Sequence, residues 1–226
     1  MIRLAASLVW LWLGLLWFGL TPGLAEGGLD WHRLPPDFVK ITPGDGITVD
    51  LRYAGVDNFT HSNIYGDYKD LYLHRIAAEK LHKAVELLQQ EHRGYRLIVF
   101  DGLRPSSFQR VLFDAAPKGP SRTAYVANPA THSIHSYGLA VDVSILDETG
   151  KALDMGTGFD DFRPLAQPRF EKAFLAKGEL GAEALKNRLL LRSVMQEAGF
   201  QPIVTEWWHF DALPPAYVRQ HFQVVE

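Results

Sequence analysis

The chain contains no cysteine. That absence excludes disulfides, thiolate metal sites, a cysteine nucleophile and lipid attachment through sulfur, so any metal must be held by nitrogen and oxygen donors. Positive charge is not in excess either: 23 basic residues stand against 26 acidic ones, a net of -3, with no basic stripe along the chain. Nothing there offers a counterion surface to a phosphate backbone, and no nucleic-acid partner is expected. Internal repeats and low-complexity tracts are also missing. At 226 residues, the default is one compact domain around a single hydrophobic core.

One long hydrophobic run is present, and it lies at the start. Arg3 precedes an apolar stretch from Leu4 to Leu20 that is broken only by Ser7, Gly14 and Gly19. Thr21-Pro22 and then Gly23-Leu24-Ala25 follow, placing small residues where a signal peptidase reads the chain. Residues 1–25 are therefore expected to be a secretory signal cleaved after Ala25, leaving residues 26–226 as an extracytoplasmic domain with no stable membrane insertion. The alternative is a retained anchor, since the run approaches the roughly 20 residues that span a bilayer.

The region from Gly27 to Asp50 is rich in Pro and Gly and reads as an irregular surface lead-in, with a short strand at Ile47 to Leu51. Between Ile76 and His92, Ala77, Leu81, Ala84, Val85 and Leu88 line one face of a helix, which Gly94 stops. Tyr95 to Phe100 reads as a strand ended by the turn pair Asp101-Gly102. Ser106 to Ala116 reads as a helix capped by Ser106, and Pro117 to Asn128 as loop. Gly138 to Leu146 alternates, with Leu139, Val141, Val143 and Ile145 on a core face and Ala140, Asp142 and Ser144 on the other. A second long helix is expected from about Ala182 to Ala198, with a seam of Asn187, Leu191, Val194, Met195 and Ala198 and a stop at Gly199. A strand-like segment around Ile203 to Phe210 and a short helix after Pro214-Pro215 end the chain. Short, irregularly spaced strands among helices favour a small α+β domain with an antiparallel-type sheet and flanking helices over a doubly wound parallel sheet.

Of the nine histidines, His74, His82, His92 and His221 fall on helices or their ends among charged neighbours and read as solvated surface residues. His32, His61 and His132 fall in loop. His135 and Asp142 bracket a strand. An aspartate on the polar face of an apolar strand needs a partner, because burying an unpaired carboxylate is costly, and a metal is one group that offsets the cost. Taken alone this spacing is a weak signal, and a buried Asp capping a loop is the better reading of it.

The segment Glu206-Trp207-Trp208-His209 supplies another carboxylate and imidazole. It reads either as an interface or core patch with a surface ion pair, or as a base and a ligand. Zinc hydrolysis requires three His or carboxylate ligands, an open position for water and a nearby non-ligating carboxylate. His135, Asp142 and His209, with Glu206 as base, meet that requirement. In a regular strand Glu206 and His209 would point to opposite faces, so this reading demands a bend between them.

Across most of its length the chain resembles the D-alanyl-D-alanine dipeptidases of the VanX type, within a wider group of zinc D-Ala-D-Ala peptidases. The resemblance rests on Tyr53-Ala54-Gly55-Val56-Asp57-Asn58-Phe59-Thr60, Asp101-Gly102-Leu103-Arg104-Pro105, the run from His135 to Asp142, Met155-Gly156-Thr157-Gly158-Phe159-Asp160, Leu191-Arg192-Ser193-Val194-Met195 and Glu206-Trp207-Trp208-His209. It implies one zinc per chain on His135, Asp142 and His209, with Glu206 as general base and Arg104 stabilising the oxyanion. It further implies that Asp160 and Tyr53 hold the substrate's ammonium group and that Ser133 contacts its carboxylate. The implied substrate is a small D-amino-acid dipeptide, and the implied setting is turnover of peptidoglycan precursors or wall fragments. The competing readings are a D,D-carboxypeptidase or endopeptidase on wall peptides and a non-catalytic, zinc-stabilised wall-binding module. The exported N-terminus and Leu103, where the family pattern has an aromatic residue, depart from the resemblance.

Overall fold

The computed structural model describes residues 34–226 apart from 45, 120 and 121. The expected signal segment lies outside the described residues. In chain order the elements are β1 (Phe38–Ile41), β2 (Ile47–Val49), β3 (Leu71–His74), α1 (Arg75–Glu91), β4 (Arg96–Asp101), α2 (Ser106–Ala115), α3 (Arg122–Tyr125), β5 (Ala140–Leu146), α4 (Glu171–Ala176), α5 (Ala182–Glu197), β6 (Gln201–Pro202), β7 (His209–Asp211) and α6 (Pro215–His221). The architecture is α+β. A five-stranded sheet runs in the order β2-β4-β5-β7-β6, and β1 pairs with β3 in a separate two-stranded sheet. All neighbours in the larger sheet are antiparallel except β2 and β4, which are parallel.

Strand β5 sits at the centre, and every one of its residues is buried. Its odd-numbered face, Val141, Val143 and Ile145, joins the main core with α1 and α5. The seam expected for α5 is the one it buries: Asn187, Leu191, Val194 and Met195. The opposite face of the sheet is covered by the loop carrying Phe159, whose ring meets Phe100 at 5.2 Å and Trp208 at 5.5 Å. A strand covered on both sides must either be wholly apolar or bring partners for its polar residues, and β5 does the second with Asp142.

Several expectations change. The Pro- and Gly-rich lead-in contains β1, and Ile41 and Ile47 are buried rather than on the surface; pairing with β3, a tertiary contact, outweighs the local breakers. The loop expected from Pro117 to Asn128 contains the short helix α3. Pro105, not Ser106, occupies the N-cap of α2, and the Ser106 hydroxyl instead donates to the Glu226 carboxylate. His74 is not a solvated surface residue: its ring accepts from the Ile76 N–H at the start of α1 and packs edge-on against Phe38 and Phe222.

Gly138 has φ +63, and a Cβ there would lie 2.6 Å from Phe38 Cε1 and 2.9 Å from the His74 backbone nitrogen. Only glycine accepts both that left-handed conformation and that close approach. The turn it makes delivers His135 from the preceding 3₁₀ segment, Ile134–Tyr137, to the head of β5.

Candidate metal centre

The register of the sheet assembles the site. Asp142 on β5 stands opposite His209 on β7. On its other side, an irregularity between Val99 and Asp101 brings Asp101 of β4 opposite Asp142. Cross-strand partners lie within reach of one another's side chains, so a row of polar residues crosses the sheet. The bend needed after β6 is present: residues 203–208 leave regular strand geometry before β7 begins at His209. Glu206 and His209 can thus face the same space, with Glu206 Oε2 3.9 Å from His209 Nδ1.

Three ligand atoms converge, one from each of His135, Asp142 and His209, all within 4.8 Å of one another. His135 Nε2 is 3.1 Å from His209 Nδ1, and Asp142 Oδ1 is 3.3 Å from the first and 3.0 Å from the second. The far side of each ring determines what these atoms are. His135 Nδ1 meets the Gly102 carbonyl at 2.8 Å, and His209 Nε2 meets Asp211 Oδ1 at 2.9 Å. A carbonyl can only accept, as can an ionised carboxylate, so those ring nitrogens carry the hydrogens and the inward ones present lone pairs. Three acceptors facing one another require a cation, and this donor set fits a metal bound through nitrogen and oxygen.

The electrostatics agree. Burial alone would raise the pKa of Asp142, but His135 and His209 outweigh it and hold the carboxyl well below its ordinary range. Burial also opposes a charged His209. Asp211 and Asp142 override that and push the imidazole well above its usual value, so without metal a proton takes the cation's place. Glu206 is pushed from 4.5 to about 8, chiefly by burial, with His209 pulling the other way and Asp142 and Asp160 adding to the rise. A carboxyl in that range can both take and return a proton near neutral pH.

Arg104 is buried beside this group. Its Nε donates to Asp101 Oδ2 at 2.7 Å, its Nη1 to Gln109 Oε1 at 2.9 Å, and its Nη2 lies 2.5 Å from Asp101 and 3.5 Å from Asp142 Oδ2. Burial disfavours the guanidinium charge, but Asp101, Tyr53, Tyr65 and Asp142 more than compensate, and its pKa stands well above normal. The Tyr65 hydroxyl donates to the other oxygen of Asp101 at 2.6 Å.

Asp160 lines the cavity and has φ +58. It accepts from the Tyr53 hydroxyl at 3.0 Å and the Phe59 N–H at 3.4 Å. Burial, then the nearby Asp142, raises its carboxyl from 3.8 to about 7, with Arg104 and Tyr53 moderating the shift. Tyr53 is in a 3₁₀ turn, Arg52–Ala54. The loop bearing Asp160 is tied down by Arg188 of α5, which donates to the Met155 carbonyl at 2.7 Å. Ser133 is buried at the cavity wall, its hydroxyl accepting from the His135 N–H at 3.3 Å. Leu103 is wholly buried and is not one of the residues that line the cavity.

The cavity is about 230 Å³ and is lined by all eight residues singled out in the sequence: Tyr53, Arg104, Ser133, His135, Asp142, Asp160, Glu206 and His209. That is smaller than the 300–1,000 Å³ usual for larger ligands. A bigger cavity of about 790 Å³ lies between the end of α1 and α5. We assign the chemistry to the smaller one, because the donor cluster is there. Sequence reasoning missed Asp211, Gln109 and Tyr65 as parts of the site. Strand alternation from His209 would have found Asp211 two residues on; for Gln109 and Tyr65 no local signal exists, since both act through contacts distant in the chain.

Converging acceptors able to hold a metal, beside a carboxylate outside that set and a buried cation, define a metal-dependent hydrolase. The matching family is more specific: residues 37–226 match the Peptidase_M15 D-ala-D-ala dipeptidase model, and the chain belongs to that family. It is 36% identical over 180 residues to a D-alanyl-D-alanine dipeptidase of Escherichia coli K12, covering 80% of this chain and 84% of that one. It is 29% identical over 197 residues to one from Enterococcus faecium and 32% over 200 residues to one from Enterococcus faecalis, covering 78% of this chain and 91% of the relative in both cases.

Proposed function

We propose that the protein is an exported zinc dipeptidase that hydrolyses D-alanyl-D-alanine, and that His135, Asp142 and His209 hold its single metal ion. The observation that carries the metal assignment is the pair of histidines whose outer nitrogens are both committed as donors, leaving the inner ones as ligands. Nitrogen and oxygen donors with an open fourth position suit zinc. When bound, the metal polarises the scissile carbonyl and lowers the pKa of a water molecule. Glu206 accepts that water's proton and later delivers it to the leaving amine. Arg104, itself buried and fixed by Asp101 and Gln109, has Nη2 3.5 Å from Asp142 and stabilises the developing oxyanion, an electrostatic contribution of several kcal/mol for a pre-positioned charge.

Substrate selection rests on the ends of the cavity. Asp160 and Tyr53 receive the free ammonium group, and Ser133 meets the carboxylate. Closure by a half-buried carboxylate favours a dipeptide over a longer chain, because an acylated amine leaves Asp160 without a cation. The dipeptide's D-alanine ties the enzyme to turnover of wall fragments or precursors. Export is supported by Arg3, the run from Leu4 to Leu20 and Gly23-Leu24-Ala25. No helix among the described residues is long and apolar enough to cross a membrane.

The direct test incubates zinc-loaded protein with D-Ala-D-Ala and, separately, with a wall pentapeptide, and follows release of D-alanine. Release from the dipeptide is expected; release only from the pentapeptide would make the enzyme a carboxypeptidase, and none from either would leave a binding module. N-terminal sequencing of native protein tests export: a start at Glu26 supports it, and an intact Met1 favours an anchor.

A further inference from the structure

The cavity carries two cationic side chains among its described lining residues, Arg104 and Arg219, and they differ in how their charge is met. Arg104 is neutralised by the buried carboxylates of Asp101 and Asp142. Arg219, on α6, is held by main-chain carbonyls instead: its Nε donates to Thr131 O at 2.9 Å and its Nη2 to His132 O at 3.4 Å. Those carbonyls belong to the two residues immediately before Ser133. His132 between them has φ +53, a left-handed conformation that turns the chain there. No carboxylate among the described residues pairs with Arg219, and its Nη1 has no hydrogen-bond partner among them. The side chain is thus anchored by neutral acceptors, exposed to solvent at the cavity beside Ser133 and free of any carboxylate partner among the described residues, while the acidic Asp160 occupies the cavity together with Tyr53 and Phe59.

We infer that Arg219 is a specificity-determining residue that binds the C-terminal carboxylate of the substrate, so that the cavity recognises both charges of a zwitterionic dipeptide. The inference rests on the dipeptidase reading above. Ser133 by itself offers one neutral hydroxyl, whose oxygen accepts from the His135 N–H and which has a single O–H left to donate. A carboxylate leaving water gains far more from a guanidinium, whose planar fork can present two parallel donors, than from a hydroxyl. Holding Nε and Nη2 on the loop leaves Nη1 as the donor that reaches the ligand, and fixes it before binding. Because the anchors are the carbonyls preceding Ser133, the same contacts that hold the guanidinium also hold the serine, and the two move as one unit.

The test compares D-Ala-D-Ala with D-alanyl-D-alaninamide, which keeps the scissile bond and the free ammonium but removes the terminal charge. Steady-state kinetics are measured for the parent, Arg219→Gln and Arg219→Lys, all zinc-loaded, with metal content and circular dichroism recorded for each. The parent is expected to prefer the acid at least tenfold in kcat/KM. In Arg219→Gln that preference falls toward unity, mainly through a raised KM for the acid, and Arg219→Lys recovers part of it. If Arg219 only braces the loop, its loss lowers both substrates by the same factor and the acid-to-amide ratio stays at the parental value; that result overturns the inference and leaves the dipeptidase reading standing. A parent that hydrolyses neither compound overturns both.

Discussion

Asp211 and His209 stand two residues apart on β7, and the carboxylate of the first meets Nε2 of the second at 2.9 Å. The pair fixes which ring nitrogen faces the cluster. Partners of this kind orient a ligand, and their loss typically costs 10–100-fold in metal affinity. Asp211→Asn is expected to weaken zinc binding by about tenfold or more, because an amide can turn its NH₂ toward Nε2 and favour the wrong tautomer. Competition with a chromogenic chelator measures it; parental affinity in the variant would show that Asp211 does not set the tautomer.

Glu206 approaches His209 at 3.9 Å, outside the 3.0–3.3 Å separations within the donor cluster. Glu206→Gln should therefore retain zinc while kcat falls about 10²–10⁴-fold, the usual contribution of a positioned general base. Metal analysis alongside single-turnover rates separates the two effects. Loss of zinc together with activity would make Glu206 a ligand.

In the metal-free protein, stability should fall as pH rises from about 5 to about 8. Glu206 is raised from 4.5 to about 8 and Asp160 from 3.8 to about 7. Above the ordinary carboxyl range the unfolded chain has released these protons while the folded chain still holds them. The unfolded state binds fewer protons, so the slope of stability against pH is negative in that window. His209, raised as well, acts in the same direction. Asp142, lowered, has contributed its full stabilisation before the window begins. Urea unfolding of chelator-treated protein should show the midpoint dropping across the range, with a shallower drop in Glu206→Gln. A midpoint that rises or stays level would contradict the burial of these carboxyls.

Asp160 is half-buried, held by Tyr53 and Phe59, and has no cationic side chain within hydrogen-bonding distance among the described residues. Above about pH 7, where Asp160 is ionised, a blocked amine leaves it an unpaired, largely desolvated carboxylate, at a cost of about 3 to 5 kcal/mol, or roughly two to three powers of ten in rate. N-acetyl-D-Ala-D-Ala is expected to be cleaved at least about a hundredfold less efficiently than the free dipeptide. Asp160→Ala should narrow that gap chiefly by impairing the free dipeptide. Equal rates on blocked and free substrates in the parent would remove Asp160 from amine recognition.

What the sequence by itself determined was local and chemical. The periodicity of α1 and α5, the alternation of β5, the stops at Gly94 and Gly199 and the identities of the residues able to bind metal or move protons all depend on nearest neighbours in the chain, and all were legible. Tertiary structure decided what depends on pairing. Strand β1 forms between Pro and Gly breakers because β3 supplies its hydrogen-bond partners. The parallel pairing of β2 with β4 had no local signature. The site itself exists because Asp142 comes opposite His209 across one strand pair and opposite Asp101 across the other, by way of an irregularity in β4. A spacing such as His135 to Asp142 could equally belong to a buried structural aspartate. It is the register of the sheet, with Gly102 and Asp211 behind the rings, that turns three separate residues into facing lone pairs.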